Sequence, residues 1–111
     1  MDNIKNDAYY INKIKADLSF VLYHTGGMSQ EAFEHDDLLI DSVMFRLIQI
    51  SENSDRLTDG YKELHSNIPW RAMRGLRNRI VHEYGNVDLS IIYETVINDL
   101  PVLLEEIEQL Q

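Results

Sequence analysis

Eight consecutive residues, Arg77-Asn78-Arg79-Ile80-Val81-His82-Glu83-Tyr84, place a fork of cationic donors, an amide, an imidazole and a phenol close together. These groups suit chemistry at a phosphodiester. Cleaving RNA without a metal needs a base for the ribose 2′-hydroxyl, an acid for the leaving 5′-oxygen and positive charge for the crowded phosphate. His82 can move a proton near neutral pH, and Arg77 can stabilise a phosphate. Asn78 can orient either the imidazole or a phosphate oxygen. One histidine cannot conveniently be acid and base in a single step, so a symmetric dimer that joins two copies of the segment is attractive.

On a helix, Asn78 and His82 share a face and Arg77 nearly eclipses Tyr84, whereas Arg77 and His82 stand about 140° apart. Simpler readings accompany each residue. His82 can be a partly buried helix residue holding a C-terminal carbonyl, Tyr84 an amphipathic residue at the edge of the core, and Trp70 a packing anchor. Arg71, Arg74 and Arg79 fit RNA binding, and equally fit solvated or ion-paired helix positions.

Charge distribution bears on this choice. The chain carries a formal net charge of −9, which opposes a nucleic-acid partner in general. Yet no acidic residue falls between Glu63 and Glu83, where Arg71, Arg74, Arg77 and Arg79 supply four of the ten basic side chains. A basic strip therefore sits on an acidic body. Its arginines either meet phosphate or pair with the surplus carboxylates.

The other titratable clusters carry less. Glu34-His35-Asp36-Asp37 can bind a cation weakly or form a solvated face at the start of a helix, and the spacing of His24, His35 and His65 suggests no metal site. Without cysteine there is no disulfide, thiolate metal site or cysteine nucleophile. No cofactor is expected. Charges interrupt every apolar window before the roughly 20 residues a membrane span needs, and no leader pattern opens the chain, so a cytoplasmic protein without a membrane partner is expected.

The elements that must position these residues are helices. At 111 residues, with 44% hydrophobic and 26% charged residues, the chain matches one globular domain over residues 1–111. Ile4, Ala8, Ile11, Ile14, Leu18, Val21 and Leu22 follow helical spacing and predict a first helix over about 3–24, stopped by Gly26 and Gly27. Ser29 caps a long second helix with Phe33, Leu39, Ile40, Val43, Met44, Leu47 and Ile48 inward. The pattern weakens from Ser51 to Asp55, where a kink or break is expected, and resumes at Leu57, Tyr61 and Leu64, with Gly60 lowering propensity nearby. Pro69 opens a third helix carrying Trp70, Met73, Leu76, Ile80 and Val81, which ends near Gly85-Asn86. Asp88 caps a fourth, with Leu89, Ile92, Val96, Leu100, Leu103, Leu104 and Ile107 inward and Pro101 kinking or dividing it. No run alternates with period two. The expected fold is all-α, an up-and-down bundle of four to five helices.

Ile68-Pro69-Trp70 through Arg77-Asn78-Arg79-Ile80-Val81-His82-Glu83-Tyr84, followed by Val87-Asp88 and a helix containing Leu100-Pro101, resembles the HepT-like family of HEPN proteins. The motif resemblance covers about the last 45 residues; the first 65 or so agree in helix length and order. It implies a HEPN-like bundle and a metal-independent endoribonuclease toxin, a homodimer whose Arg-x4-His motifs, here Arg77 and His82 with Asn78 beside them, face one another in a cleft. It also implies an MntA-type minimal nucleotidyltransferase as antitoxin partner, which transfers AMP to the tyrosine two residues beyond the histidine, here Tyr84. Bulk and negative charge at that point would oppose RNA phosphate.

Two other readings remain. The chain could be a non-catalytic subunit that binds substrate or nucleotide for a nucleotidyltransferase, or a dimerisation module in which Arg77 and His82 are dispensable. Dimerisation through apolar helix faces fits all three, because so small a core is often completed by a partner.

Overall fold

The computed structural model describes residues 5–110. Ile4 and the expected helix start near residue 3 lie outside them. Asn6 accepts the Tyr9 backbone N–H at 3.0 Å, and this cap opens α1, Asp7–Thr25. Ile11, Ile14, Leu18 and Val21 are buried along one side, whereas Ala8, in the first turn, is exposed. Gly27 ends the element at φ +78°, in the left-handed region that a side chain disfavours.

The long second helix expected from Ser29 to Leu64 is three helices. Ser29 caps α2, Gln30–Glu34, which buries Phe33 completely. Asp36 then accepts the Leu39 N–H at 3.1 Å and starts α3, Asp37–Asp55. The Glu34-His35-Asp36-Asp37 cluster is thus a turn and a cap. Among the described residues no group of three or more His, Asp or Glu side chains could hold a metal ion. At its other end α3 runs unbroken through Ser51–Asp55, where a break was expected. Ser51, Asn53 and Ser54 are buried there, so the lapse in the apolar pattern marks polar residues turned inward within a continuous helix. The chain breaks only at Arg56–Thr58, before α4, Asp59–Leu64. Leu57 is buried and Tyr61 half-buried, but Leu64 is exposed.

The third helix, α5, spans Trp70–His82. Met73 and Ile80 are its buried residues; Trp70 and Leu76 are half-buried, and Val81, expected inward, is exposed. Asp88 caps α6, Leu89–Glu94, which passes through a π-helical turn, Thr95–Asp99, into α7, Leu100–Glu108. Pro101 sits in the first turn of α7. Its missing N–H and bulky ring would clash with a regular preceding turn, and the wide turn absorbs the conflict where a kink or division was expected.

The long helices α1, α3, α5 and the α6–α7 run form an all-α bundle, with α2 and α4 at its turns. Cross-links fix the directions. Asp7 accepts from the Thr58 N–H at 2.9 Å and hydroxyl at 2.8 Å, while Asp17 meets Arg46 at 2.8 Å, so α1 and α3 are antiparallel. Arg46 also lays its guanidinium 3.8 Å from the Phe20 ring centroid. The Tyr93 hydroxyl donates to the Met28 carbonyl and its ring packs on Phe33, which brings α6 to the end of α1. The core between them includes Ile14, Leu18, Val21, Phe33, Val43, Ile80, Ile92, Val96 and Ile107. Each such side chain contributes about 1.5–3 kcal/mol on burial. No helix among the described residues is long and apolar enough to cross a membrane.

Candidate functional site

The site is set by how α5 is held. The Trp70 indole N–H donates to the carbonyls of Lys62, at 3.3 Å, and His65, at 3.2 Å, joining the start of α5 to the end of α4. Trp70 is therefore an anchor, as its sequence position suggested. Met73 and Ile80, two turns apart, point the helix into the core against α3. Opposite them, at spacings of four, three and four, stand Arg71, Gly75, Asn78 and His82, each exposed. Arg74 and Arg77 flank this stripe on the α3 side, and Ala72 and Arg79 on the α7 side. The four arginines thus wind around the helix and form no single patch.

The arginines on the α3 side are paired. Arg74 donates to Asp55 through Nε at 3.1 Å and Nη2 at 2.8 Å. The Asp55 carboxylate raises its pKa, first through that hydrogen bond and then through its charge. Arg77 donates from Nη2 to Glu52 at 3.0 Å and from Nη1 to the Asn78 side-chain oxygen at 3.2 Å. Arg71 and Arg79 form no ion pair among the described residues. Arg71 shares a shallow groove with Asp59 and Glu63, and Arg79 lines a separate cleft of about 710 Å³ between α5 and α7, walled by Leu76, Ile91, Val102 and Leu103.

His82 is the last residue of α5, where a cation would favour the helix dipole. It is exposed and its ring forms no hydrogen bond among the described residues, so it does not hold a C-terminal carbonyl. Tyr84 lies past the helix end, in the Glu83–Asn86 turn, and is half exposed, at 49%. The near-eclipse with Arg77 expected from unbroken helical geometry does not apply, because the helix stops two residues earlier. The structure joins Arg77 to Asn78 and aims Arg77 at α3, while His82 faces outward from the helix tip.

Glu52 and Asp55 are the residues that reading the sequence missed. Their three-residue spacing on α3 matches that of Arg74 and Arg77 on α5, and an antiparallel pair of helices brings Glu52 to Arg77 and Asp55 to Arg74. The signal lay inside the stretch taken for a helix break.

A protein of Caldanaerobacter subterraneus subsp. tengcongensis named "Putative RNase TTE0752" is 29% identical over 107 residues, covering 96% of each chain. A Thermococcus cleftensis protein named "Probable ribonuclease HepT" is 30% identical over 102 residues, covering 92% of this chain and 93% of its own. No solved structure matches. The profile of the family described as "Ribonuclease HepT-like" matches residues 11–110, all of the bundle but the first turn of α1, and the chain belongs to that family.

Proposed function

We propose that the protein is the ribonuclease toxin of a toxin–antitoxin pair, a cytoplasmic, metal-independent endoribonuclease acting as a homodimer. The observation that carries this reading is His82. An exposed imidazole without an internal hydrogen-bond partner, one turn beyond a linked Arg77–Asn78 pair, is available for proton transfer. His82 takes the proton from the ribose 2′-hydroxyl as its oxygen attacks phosphorus, and the second protomer's copy protonates the departing 5′-oxygen. Arg77 meets the phosphate charge, Asn78 orients it, and Arg71, Arg74 and Arg79 hold the flanking RNA. The outward direction of His82 and inward direction of Arg77 favour a site completed across two protomers.

Tyr84 is the acceptor for AMP from an MntA-type nucleotidyltransferase antitoxin. Its half-exposed ring, in a turn two residues from His82, leaves an attached nucleotide beside the site, where its phosphate repels RNA. The test is incubation of purified protein with cellular RNA in EDTA. Parental cleavage with loss in His82→Ala supports the reading, and equal cleavage by both overturns it.

Arg71 and Arg79, which form no ion pair among the described residues, favour a second reading, a binding subunit of a nucleotidyltransferase, because their undiminished charge suits nucleotide phosphate without any proton transfer. That reading expects RNA or nucleotide binding in the same experiment without cleavage.

A further inference from the structure

We propose that Glu52 is the positioning residue for Arg77, fixing where the guanidinium points without occupying the edge that a phosphate would meet. The inference rests on the reading of Arg77 as the phosphate-stabilising group.

Arg77 is held from two sides. Glu52 accepts from Nη2 at 3.0 Å and the Asn78 side-chain oxygen from Nη1 at 3.2 Å. The remaining N–H groups of the planar fork stay available to a phosphate oxygen. A long side chain pinned in this way surrenders its rotamer freedom before substrate arrives, so less is lost when the phosphate binds. The support is built into the core. Glu52 lies between Ser51 and Asn53, both buried, on a stretch of α3 that belongs to the core. Glu52 and Arg77 side chains are 38% and 34% exposed, less than the 44% and 58% of Asp55 and Arg74 one turn away. The inner of the two matched pairs thus serves the motif arginine, where water weakens the interaction least.

A carboxylate there has two effects. It orders the guanidinium, and it offsets part of the positive charge that would otherwise hold any anion. Removing it should leave an arginine that binds phosphate at least as well in the ground state but is poorly placed at the transition state.

The test compares the parent with Glu52→Ala, Glu52→Gln and Glu52→Asp, each checked by circular dichroism for parental helicity. Two measurements are made: steady-state cleavage of an RNA oligonucleotide in EDTA, and the NMR order parameter of the Arg77 side-chain Nε–Hε. Glu52→Ala is expected to lower kcat by about tenfold to a hundredfold, with KM unchanged or lowered. The Arg77 order parameter falls in the same variant, and Glu52→Asp recovers most of both. Should the alanine variant lose helicity, Glu52→Gln, which keeps the shape and an acceptor, takes its place with smaller losses in the same directions. An unchanged order parameter, or a raised KM at parental kcat, overturns the proposal. If the parent itself does not cleave RNA, the catalytic reading fails and the order parameter alone decides the positioning role.

Discussion

Arg77 of α5 and Glu52 of α3 are joined at 3.0 Å, and one turn away Arg74 and Asp55 repeat the arrangement at 2.8 Å. Two helices brought together by Met73 and Ile80 inside are thus matched at their edge by charge. The motif arginine is positioned by the helix that packs against its own, while His82, at the exposed tip of α5, has no such support. The two groups proposed for cleavage are held in different ways, one paired within the protomer and the other exposed.

Replacing Tyr84 by phenylalanine removes the only oxygen of that side chain and leaves its ring. Under the proposed regulation, co-expression of a cognate nucleotidyltransferase should no longer relieve growth inhibition by Tyr84→Phe, and intact-mass spectrometry should show no added AMP. Added AMP on the variant would place the acceptor elsewhere.

Gly75 sits mid-helix on the outward stripe of α5, and a Cβ built there meets nothing within 4 Å. Alanine is favoured over glycine in a helix by about 0.5–1 kcal/mol. Gly75→Ala should therefore raise the melting temperature by about 3–6 °C for a domain of this size. The same methyl stands on the outward stripe that carries Arg71, Asn78 and His82, the face proposed to meet RNA, so RNA cleavage should fall as stability rises. A lower melting temperature would show that the glycine serves the fold of the protomer.

Arg46 links α3 to α1 through Asp17, whose side chain is only 10% exposed, and covers the Phe20 ring. Arg46→Ala leaves that carboxylate without its cation and strips the ring. With Arg46 itself 31% exposed, the penalty is set below that of a fully buried pair, at about 2 kcal/mol. Urea denaturation should show a lower midpoint at unchanged slope; an unchanged midpoint would mean the pair contributes nothing.

Asp88 caps α6, accepting from the Ser90 hydroxyl at 2.7 Å and the Ser90 N–H at 3.0 Å. The Ser90 hydroxyl, then the backbone N–H, hold its carboxyl below the ordinary value of 3.8. Because the folded form gives up its proton more readily than the unfolded, the stabilisation is complete above that ordinary value. It disappears as pH falls through the lower folded value. The urea midpoint of the parent should exceed that of Asp88→Ala at pH 7, and the gap should close in acid. A gap independent of pH would assign the cap to shape alone.

Much of this was legible in the sequence. Caps at Ser29 and Asp88, the Gly26-Gly27 stop and the core positions from Ile11 to Val21 follow from local rules of spacing and hydrogen bonding. His82, Arg77 and Asn78 were singled out as well, and of these the structure joins Arg77 to Asn78 and leaves His82 apart. What was hidden depended on neighbours distant in the chain. Ser51, Asn53 and Ser54 looked like an interruption because burial of polar residues cannot be inferred from hydropathy, and Glu52 looked like one more surface acid until α5 lay beside it. Asp36 was read as part of a charged face although its side chain starts α3. Val81 and Leu64 fitted helical periodicity yet lie outside, because the fold gives those positions no facing helix.

The wide turn at Thr95–Asp99 carries one residue more than a regular helix would over the same rise. That surplus is a reserve of length. Shortening the segment by one residue would restore ordinary winding while keeping Ile92 on one side and Leu103 and Ile107 on the other in phase with the core. Elsewhere in the α6–α7 run the same deletion would rotate everything downstream by about 100°. The chain can thus change its length at this point without changing the face it shows.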